Sequence, residues 1–515
     1  MKTTAPFYSI FKHFTFRLIC AALCFGLSGM SRGTLIARKR VFKWLKNNLK
    51  QQASTRASFP HPLLKIPLSM SLVCKPNPPD ASQQANRLSN ITSMVHIGSI
   101  PGALIAFLLC ERMGMLWSMR QLCTLWMAGI IIVITASGKL GQIYAGRFIM
   151  GLGIGQAGVV APTYLAEIAP RSARGMLVSV FGMSEYIGIM VGYFAAWGAA
   201  VHLSSNSSRQ WIIPQSIQII VAGLLIMGSF LCEESPRHLC RLGKWDEAGR
   251  ALGKIWGLPD DHNEVSAELE GIKGQLEHEQ ERSLYRSCIG SLKELFLSRS
   301  NLRRLLFVIS SQILSQWSGA NSLTTYAPEL FSLFGINGQS EKLFTTAIFG
   351  AVKFVASLFC AILLIDHIGR KRSLISGIVV QQVAMLYIAI FLTVNASLAG
   401  DESPSSKRAA LGAIVFIYFV GIGWAMGWNS IQYLLNAEIF PLRVRATGSS
   451  LLMCFHYVNR YGLSKAVPSI LLQNSLQSEG TFWFFSIMTF FGLLWAWILL
   501  PETAGRTLED TNGLF

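Results

Sequence analysis

The chain has 515 residues, of which 51% are hydrophobic and only 14% charged, and its mean hydropathy is +0.42; a water-soluble enzyme carries nearer a quarter charged residues. The formal charge of +18 does not point to nucleic acid, because the lysines and arginines fall mainly between apolar runs, where they set orientation across a bilayer. Its 10 cysteines show neither C-x-x-C nor metal-ligand spacing and read as apolar fillers.

Residues 1–89 form an irregular beginning. A short lead carrying Lys2 and Lys12 precedes a first predicted span at about 16–37, apolar through FRLICAALCFGLSG and interrupted by Arg32. A cleaved signal peptide is the alternative, but no tidy small-residue cleavage site follows the apolar run. The stretch RKRVFKWLKNNLK has the pattern of a basic amphipathic helix lying on a membrane surface, and SFPHPLLKIPLSMSLVCKPNPPDAS is proline-rich and aperiodic. If the spans alternate, this atypical loop lies outside, against the positive-inside trend.

From residue 90 the spans become regular, each near the roughly 20 residues a bilayer requires. Those at about 91–110, 121–139, 142–166, 176–200 and 211–232 complete an N-terminal half, 90–232. Residues 233–302 are too polar to span; the charge patterns of KWDEAGRALGKIW and NEVSAELEGIKGQLEHEQ predict a small helical cytoplasmic domain. A C-terminal half, 303–500, supplies spans at about 304–327, 341–364, 373–397, 409–435, 447–470 and 481–500, and 501–515 is a tail. The expected fold is an all-α membrane protein of twelve transmembrane helices in two six-helix halves, with both termini cytoplasmic. Arg171, Arg174, Arg370-Lys371-Arg372, Arg443 and Arg445 share the cytoplasmic face. Sequons at Asn90, Asn206 and Asn395 fall on the other.

The two halves echo one another. Glu167, Pro170 and Arg174 are spaced E-x-x-P-x-x-x-R, and Glu438, Pro441 and Arg445 repeat that spacing. Asp366-His367-Ile368-Gly369-Arg370-Lys371 is a fuller form of Glu111-Arg112-Met113-Gly114-Met115-Leu116, and Glu234-Ser235-Pro236 pairs with Pro501-Glu502-Thr503. Each pair recurs about half a chain apart and in the same order, as in transporters built from internal repeats. The run Gly151-x-Gly153-x-Gly155 has no preceding strand and sits within a span, so it reads as close helix packing rather than a dinucleotide loop. No Ser-His-acid set, metal cluster or P-loop is present, so neither an enzyme nor an ATP-driven pump is supported and no cofactor is expected.

This ordered set resembles the sugar porters of the major facilitator superfamily, especially fungal monosaccharide and quinate transporters. The likeness runs from about residue 90 to the C-terminus. It is carried by Gly146-Arg147, Pro162-x-Tyr164-x-x-Glu167-x-x-Pro170-x-x-x-Arg174-Gly175, Glu234-Ser235-Pro236-Arg237, QILSQWSGAN at 312–321, Asp366-x-x-Gly369-Arg370-Lys371, Glu438-x-x-Pro441-x-Arg443-x-Arg445 and Pro501-Glu502-Thr503. The resemblance implies alternating access, with a cytoplasmic charge latch of Glu167, Arg174, Glu234, Arg237, Asp366, Arg370, Lys371, Glu438 and Arg445, and with Arg147 supporting the first half.

A sugar is ringed with hydroxyls that both donate and accept, so amides are natural partners and aromatics cover its apolar faces. Gln312, Gln316 and Asn321 share roughly one helical face, and by resemblance they match the family's sugar-contacting amides; bonding between helices is the alternative. Trp317, Tyr326, Tyr433 and Tyr457 are candidate lining aromatics or plain packing, and His456 joins the candidate site.

The chain also departs from the family pattern. Phe25-Gly26-Leu27-Ser28 lacks the first-span acid that proton symporters are thought to use, Met115-Leu116 replace basic residues, and Gly182 and Ser315 stand where glutamines are usual. His456 and Tyr457 replace an asparagine and a tryptophan. The expected function is transmembrane transport of a hexose or pentose, as facilitator or proton symporter. The alternatives are a non-transporting sugar sensor and a carrier of a sugar-like acid such as quinate. Expected partners are a small-molecule sugar, protons where transport is coupled, and the lipid bilayer, with no nucleic acid; the protein is expected to be a monomer of the plasma membrane.

Overall fold

The computed structural model describes residues 81–136, 139–169, 174–204, 207–281, 288–336, 338–361, 368–429 except 398–403, residue 432, 439–440, 442–471 and 476–501. The first predicted span and the basic, proline-rich stretch lie outside them. The helices are α1 Ala81–Met113, α2 Met115–Ile134, α3 Leu140–Ile168, α4 Arg174–His202, α5 Arg209–Ser229, α6 Pro236–Arg241, α7 Trp245–Trp256, α8 Asn263–Glu281, α9 Cys288–Leu297, α10 Arg299–Trp317, α11 Ala320–Leu333, α12 Gln339–Phe359, α13 Arg370–Ser397, α14 Pro404–Trp424, α15 Leu442–Ile470 and α16 Gln477–Ile498.

Among the described residues 8 helices are long and apolar enough to cross a membrane. An apolar run of that length has little choice, because in hydrocarbon every backbone group must be satisfied within its own helix. Their outer faces carry bare apolar side chains, such as Ile220 at 63% and Met227 at 61% exposure, as a lipid-facing surface requires. Helices α4, α10 and α15 fall outside those eight; α10 and α15 carry polar residues that are buried, Gln312, Gln316, His456, Asn459 and Arg460 among them.

Two predicted spans differ in shape from continuous helices. The span expected at 304–327 is broken into α10 and α11 at Ser318-Gly319, where Gly319 adopts φ +84°, a left-handed conformation open to glycine. A further irregularity at Tyr326, φ −113° and ψ 19°, precedes Pro328. The span expected at 409–435 leaves α-helical geometry after Trp424 and continues as a π-helical turn, Ala425–Asn429.

Glycine positions set the closest helix contacts. Gly98 and Gly102 on α1 face Gly151 and Gly155 on α3 so closely that any side chain would strike the opposing backbone at Phe148, Leu152, Val95 and Ser99. The intervening Gly153 faces the other way, where a Cβ would lie 2.8 Å from the Leu122 carbonyl of α2. The glycine run is therefore a two-sided packing seam, as its position within a span predicts. Gly146 on α3 meets the Gly129 carbonyl of α2 at 2.8 Å from a virtual Cβ, and Gly423 on α14 meets the Gly377 carbonyl of α13 at 2.6 Å. The same helix pair is thus sealed in the same way in each half, which is the structural counterpart of the sequence repeat.

The halves meet where α1 packs on α15 and α4 packs on α12. Between them in sequence, α7 and α8 dock against the end of α3. The apolar face of α7 (Leu252, Ile255 and Trp256) joins the core around Ile168, and Trp256 Nε1 donates to the Ile168 carbonyl at 3.0 Å. Burial in this polar segment pushes the Cys240 thiol up to about 11, in keeping with an inert filler. The sequon at Asn90 is corrected by the structure: Asn90 lies within α1 and accepts a hydrogen bond from Lys465, with Thr92 only 1% exposed. Asn206 lies outside the described residues.

Gly155→Val should lower thermal stability in detergent, because overpacking a sealed contact costs roughly 1–3 kcal/mol. Gly141→Ala, at a site with nothing within 4 Å of the added Cβ, should leave the melting curve in place. Fluorescence-detected size exclusion after heating reads both.

Candidate functional site

The helix break brings the sequence-predicted amides together. Gln312 and Gln316 lie one turn apart on α10, both fully buried, and Asn321 begins α11 just past Gly319. Asn321 Nδ2 donates to Gln316 Oε1 at 2.7 Å, a contact that reaches across the break. His456 enters from α15, its Nδ1 2.8 Å from Gln312 Oε1 and 3.4 Å from Gln316 Nε2. The imidazole nitrogen donates to the first amide when protonated and accepts from the second when not. Four side chains from three helices thus form one chain of donors and acceptors, each able to exchange its partner for a hydroxyl.

The remaining candidates take different places. Tyr326 uses its hydroxyl on the Ser464 carbonyl at 2.7 Å and on Thr92 Oγ1 at 3.3 Å, so it ties α11 to α15 and α1. Tyr457 donates to the Ile154 carbonyl of α3 at 3.2 Å and sits edge-on to His456 with centroids 5.4 Å apart. Trp317 donates from Nε1 to Asn459 Oδ1 at 3.1 Å. Tyr433 lies outside the described residues.

The structure adds polar groups that sequence reasoning passed over. Gln432 donates to Ser315 Oγ, extending the network where Ser315 replaces a usual glutamine. Asn429, from the π-helical turn, donates to the Gly182 carbonyl at 3.2 Å, so an amide from the other half occupies the neighbourhood of the glutamine that Gly182 lacks. Only their being amides within a predicted span signals them. Buried Glu185 on α4 and Lys353 on α12 are ionisable groups within spans, a signal available to sequence reading because charge in a bilayer is rare and functional.

The cytoplasmic charges divide in the same way. The Glu234 carboxylate accepts from the backbone N–H of Met115 at 2.9 Å and of Leu116 at 3.3 Å, and from Ser235 N at 3.0 Å. It caps the N-terminus of α2, whose unsatisfied N–H groups and dipole attract an anion. Gly114, at φ +86°, leaves room for it: a Cβ there would sit 2.8 Å from the carboxylate. Glu167 accepts from Ser235 Oγ, and Tyr164 OH donates to the Glu233 carbonyl at 2.8 Å, so residues 233–235 are clamped to α2 and α3. The helix terminus therefore supplies positive potential where Met115-Leu116 carry none.

Arg147 is buried within α3 at 4% exposure. Arg237 lies in α6, and Arg370 and Lys371 open α13. Asp366 and Glu438 lie outside the described residues, as do the side chains of Arg174 and Arg445 at the starts of α4 and α15. No cluster of His, Cys, Asp and Glu among the described residues could hold a metal ion.

Residues 27–515 match the family described as "Sugar (and other) transporter". The quinate permease of Emericella nidulans is 30% identical over 432 residues, 83% of this chain and 80% of the permease. A probable quinate permease of Aspergillus niger is 30% identical over 83% of this chain and 78% of its own length. Among solved structures, the proton:xylose symporter XylE bound to 6-bromo-6-deoxy-D-glucose superposes with a TM-score of 0.75 at 22% identity, covering 96% of this chain and 98% of the symporter.

Glu234→Ala should lower the stability of the solubilised protein by about 1 kcal/mol, the usual effect of deleting an N-terminal helix cap. Glu234→Gln, which keeps an acceptor but not the charge, should fall between it and the parent in thermal unfolding.

Proposed function

Because the chain belongs to the sugar transporter family and has its multi-pass helical fold, we propose that it carries a monosaccharide, a hexose or pentose, across the plasma membrane by alternating access. It is not an enzyme; it works as a monomer with both termini in the cytoplasm. The observation that carries this reading is the Gln312–His456–Gln316–Asn321 chain across the α10–α11 break. Its members already exchange hydrogen bonds with one another, so a ring hydroxyl enters by replacing an amide contact with one of its own. That exchange suits a carrier, which must bind and release.

A second reading is favoured by the Emericella and Aspergillus relatives, described as quinate permeases: the ring substrate is a sugar-like acid. Both readings use the same amides. Coupling to protons requires a titratable group within the membrane; the predicted first span carries Ser28 where the resemblance leads one to expect an acid, and among the described residues Glu185 on α4 is a buried acid placed for that role.

Asn321→Ala should reduce uptake roughly tenfold, about 1.4 kcal/mol of lost recognition, with surface expression unaltered. Uptake of labelled sugars and quinate in a transporter-deficient host checks this, and normal uptake by the variant would remove Asn321 from the site. In the same cells a protonophore should abolish accumulation if Glu185 couples transport to protons, and Glu185→Gln should then equilibrate substrate without accumulating it.

A further inference from the structure

Arg460 sits near the middle of α15 and is 8% exposed. Its neighbours one turn away on either side fix its place. His456, four residues before, lies 2.8 Å from Gln312 Oε1, and the carbonyl of Ser464, four residues after, accepts from the Tyr326 hydroxyl at 2.7 Å. Residues four apart share a helix face, so Arg460 lies on the face covered by α10 and α11, between the amide chain and Tyr326. Helical side chains lean towards their own N-terminus, which carries the guanidinium towards His456. Asn321 and Ser464 keep a small remnant of exposure like that of Arg460, where Gln312 and Gln316 keep none.

A guanidinium stays charged when buried, and its burial is costly unless an anion matches it. The sequence offers no acid on either helix that frames the site. Neither α10 nor α15 contains an Asp or Glu, and residues 1–79, which include the predicted first span, contain none either. The helices packed against α15 carry their acids towards their ends: Glu111 on α1, Glu167 on α3, Glu294 on α9, Glu329 on α11 and Glu479 on α16. Of these, Glu329 lies beyond Tyr326, on the side away from the amides. The mid-span acid Glu185 is on α4, which packs on α12. A neutral ring leaves the charge of Arg460 unmatched, whereas a ring acid matches it, because the planar fork of arginine receives both oxygens of a carboxylate.

Building on the acid-substrate reading above, we propose that Arg460 is the carboxylate anchor of the substrate site, selecting a polyhydroxylated ring acid whose hydroxyls engage Gln312, Gln316 and Asn321. The ring lies along the face between His456 and Tyr326, with its carboxylate on the arginine. Trp317 of α10 bonds Asn459 at 3.1 Å, which fixes this turn of α15 against the amide-bearing helix.

The experiment compares quinate with its neutral methyl ester as ligands of the full chain purified in detergent, each titrated by the shift in thermal unfolding. Quinate should stabilise the parent at a concentration roughly tenfold or more below that required of methyl quinate, the difference a charge-assisted contact makes. In Arg460→Gln that ratio should fall towards one, and Arg460→Lys, which keeps the charge but not the fork, should restore part of it. Equal potency of acid and ester in the parent, or no stabilisation by quinate, would overturn the anchor, and this comparison does not depend on any variant folding. A ratio preserved in folded Arg460→Gln would overturn it equally. Uptake of labelled hexoses and pentoses by cells expressing the parent reads the transport proposal separately: uptake that persists while quinate fails to bind leaves a sugar carrier without an acid anchor.

Discussion

The close approach of helix backbones at glycine is the constraint on which the rest of this structure depends. In a bilayer no hydrophobic effect drives apolar helices together, so their association rests on packing and on hydrogen bonds that packing brings into range. The seams of Gly98 and Gly102 with Gly151 and Gly155, and of Gly129 with Gly146, fix α3 between α1 and α2. Once α3 is fixed, the Ile154 carbonyl is placed to receive Tyr457, and the turn of α15 that carries Tyr457 also carries His456. The polar site is positioned at second hand by residues that have no side chain.

The break between α10 and α11 would be costly in hydrocarbon without partners for the backbone groups it frees. A partner comes from another helix: Gln381 of α13 donates to the Ser318 carbonyl at 3.3 Å, and further along Tyr193 of α4 donates to the Thr324 carbonyl, which Pro328 leaves without a helical N–H. A discontinuous span is tolerated here because it lines the protein interior, and the same discontinuity turns Asn321 towards Gln316.

Much of this was legible in the chain. Apolar run lengths located the spans, and the repeated acid-proline-arginine spacing announced two like halves that the paired glycine seams then display. The amides Gln312, Gln316 and Asn321 stood out because unexplained polarity in a span is rare. The break at Gly319 was not legible, since glycine is frequent in membrane helices and only the packed Phe485 ring and the left-handed φ distinguish this one. Nor was the role of Glu234: sequence suggests an ion pair for a charge near a helix end, whereas a helix N-terminus offers positive potential without a basic residue. Tyr326 and Tyr457 could be recognised as aromatics near the site, but a hydroxyl that reaches a carbonyl on another helix leaves no pattern in one sequence.

The contacts that cross between halves differ in kind from those within them. Within a half, backbones interlock at glycine seams where any displacement along the helix creates collisions. Between halves, the described bonds are mostly single and uncharged: Tyr326 to Thr92, Tyr457 to the Ile154 carbonyl, Asn429 to the Gly182 carbonyl, Tyr193 to the Thr324 carbonyl and the Cys454 thiol to the Ile100 carbonyl. Each such bond contributes about 1 kcal/mol net, beside the packing of α1 on α15 and of α4 on α12. Polar bonds between the halves can therefore be exchanged one at a time, which suits a carrier that opens its site to one side at a time.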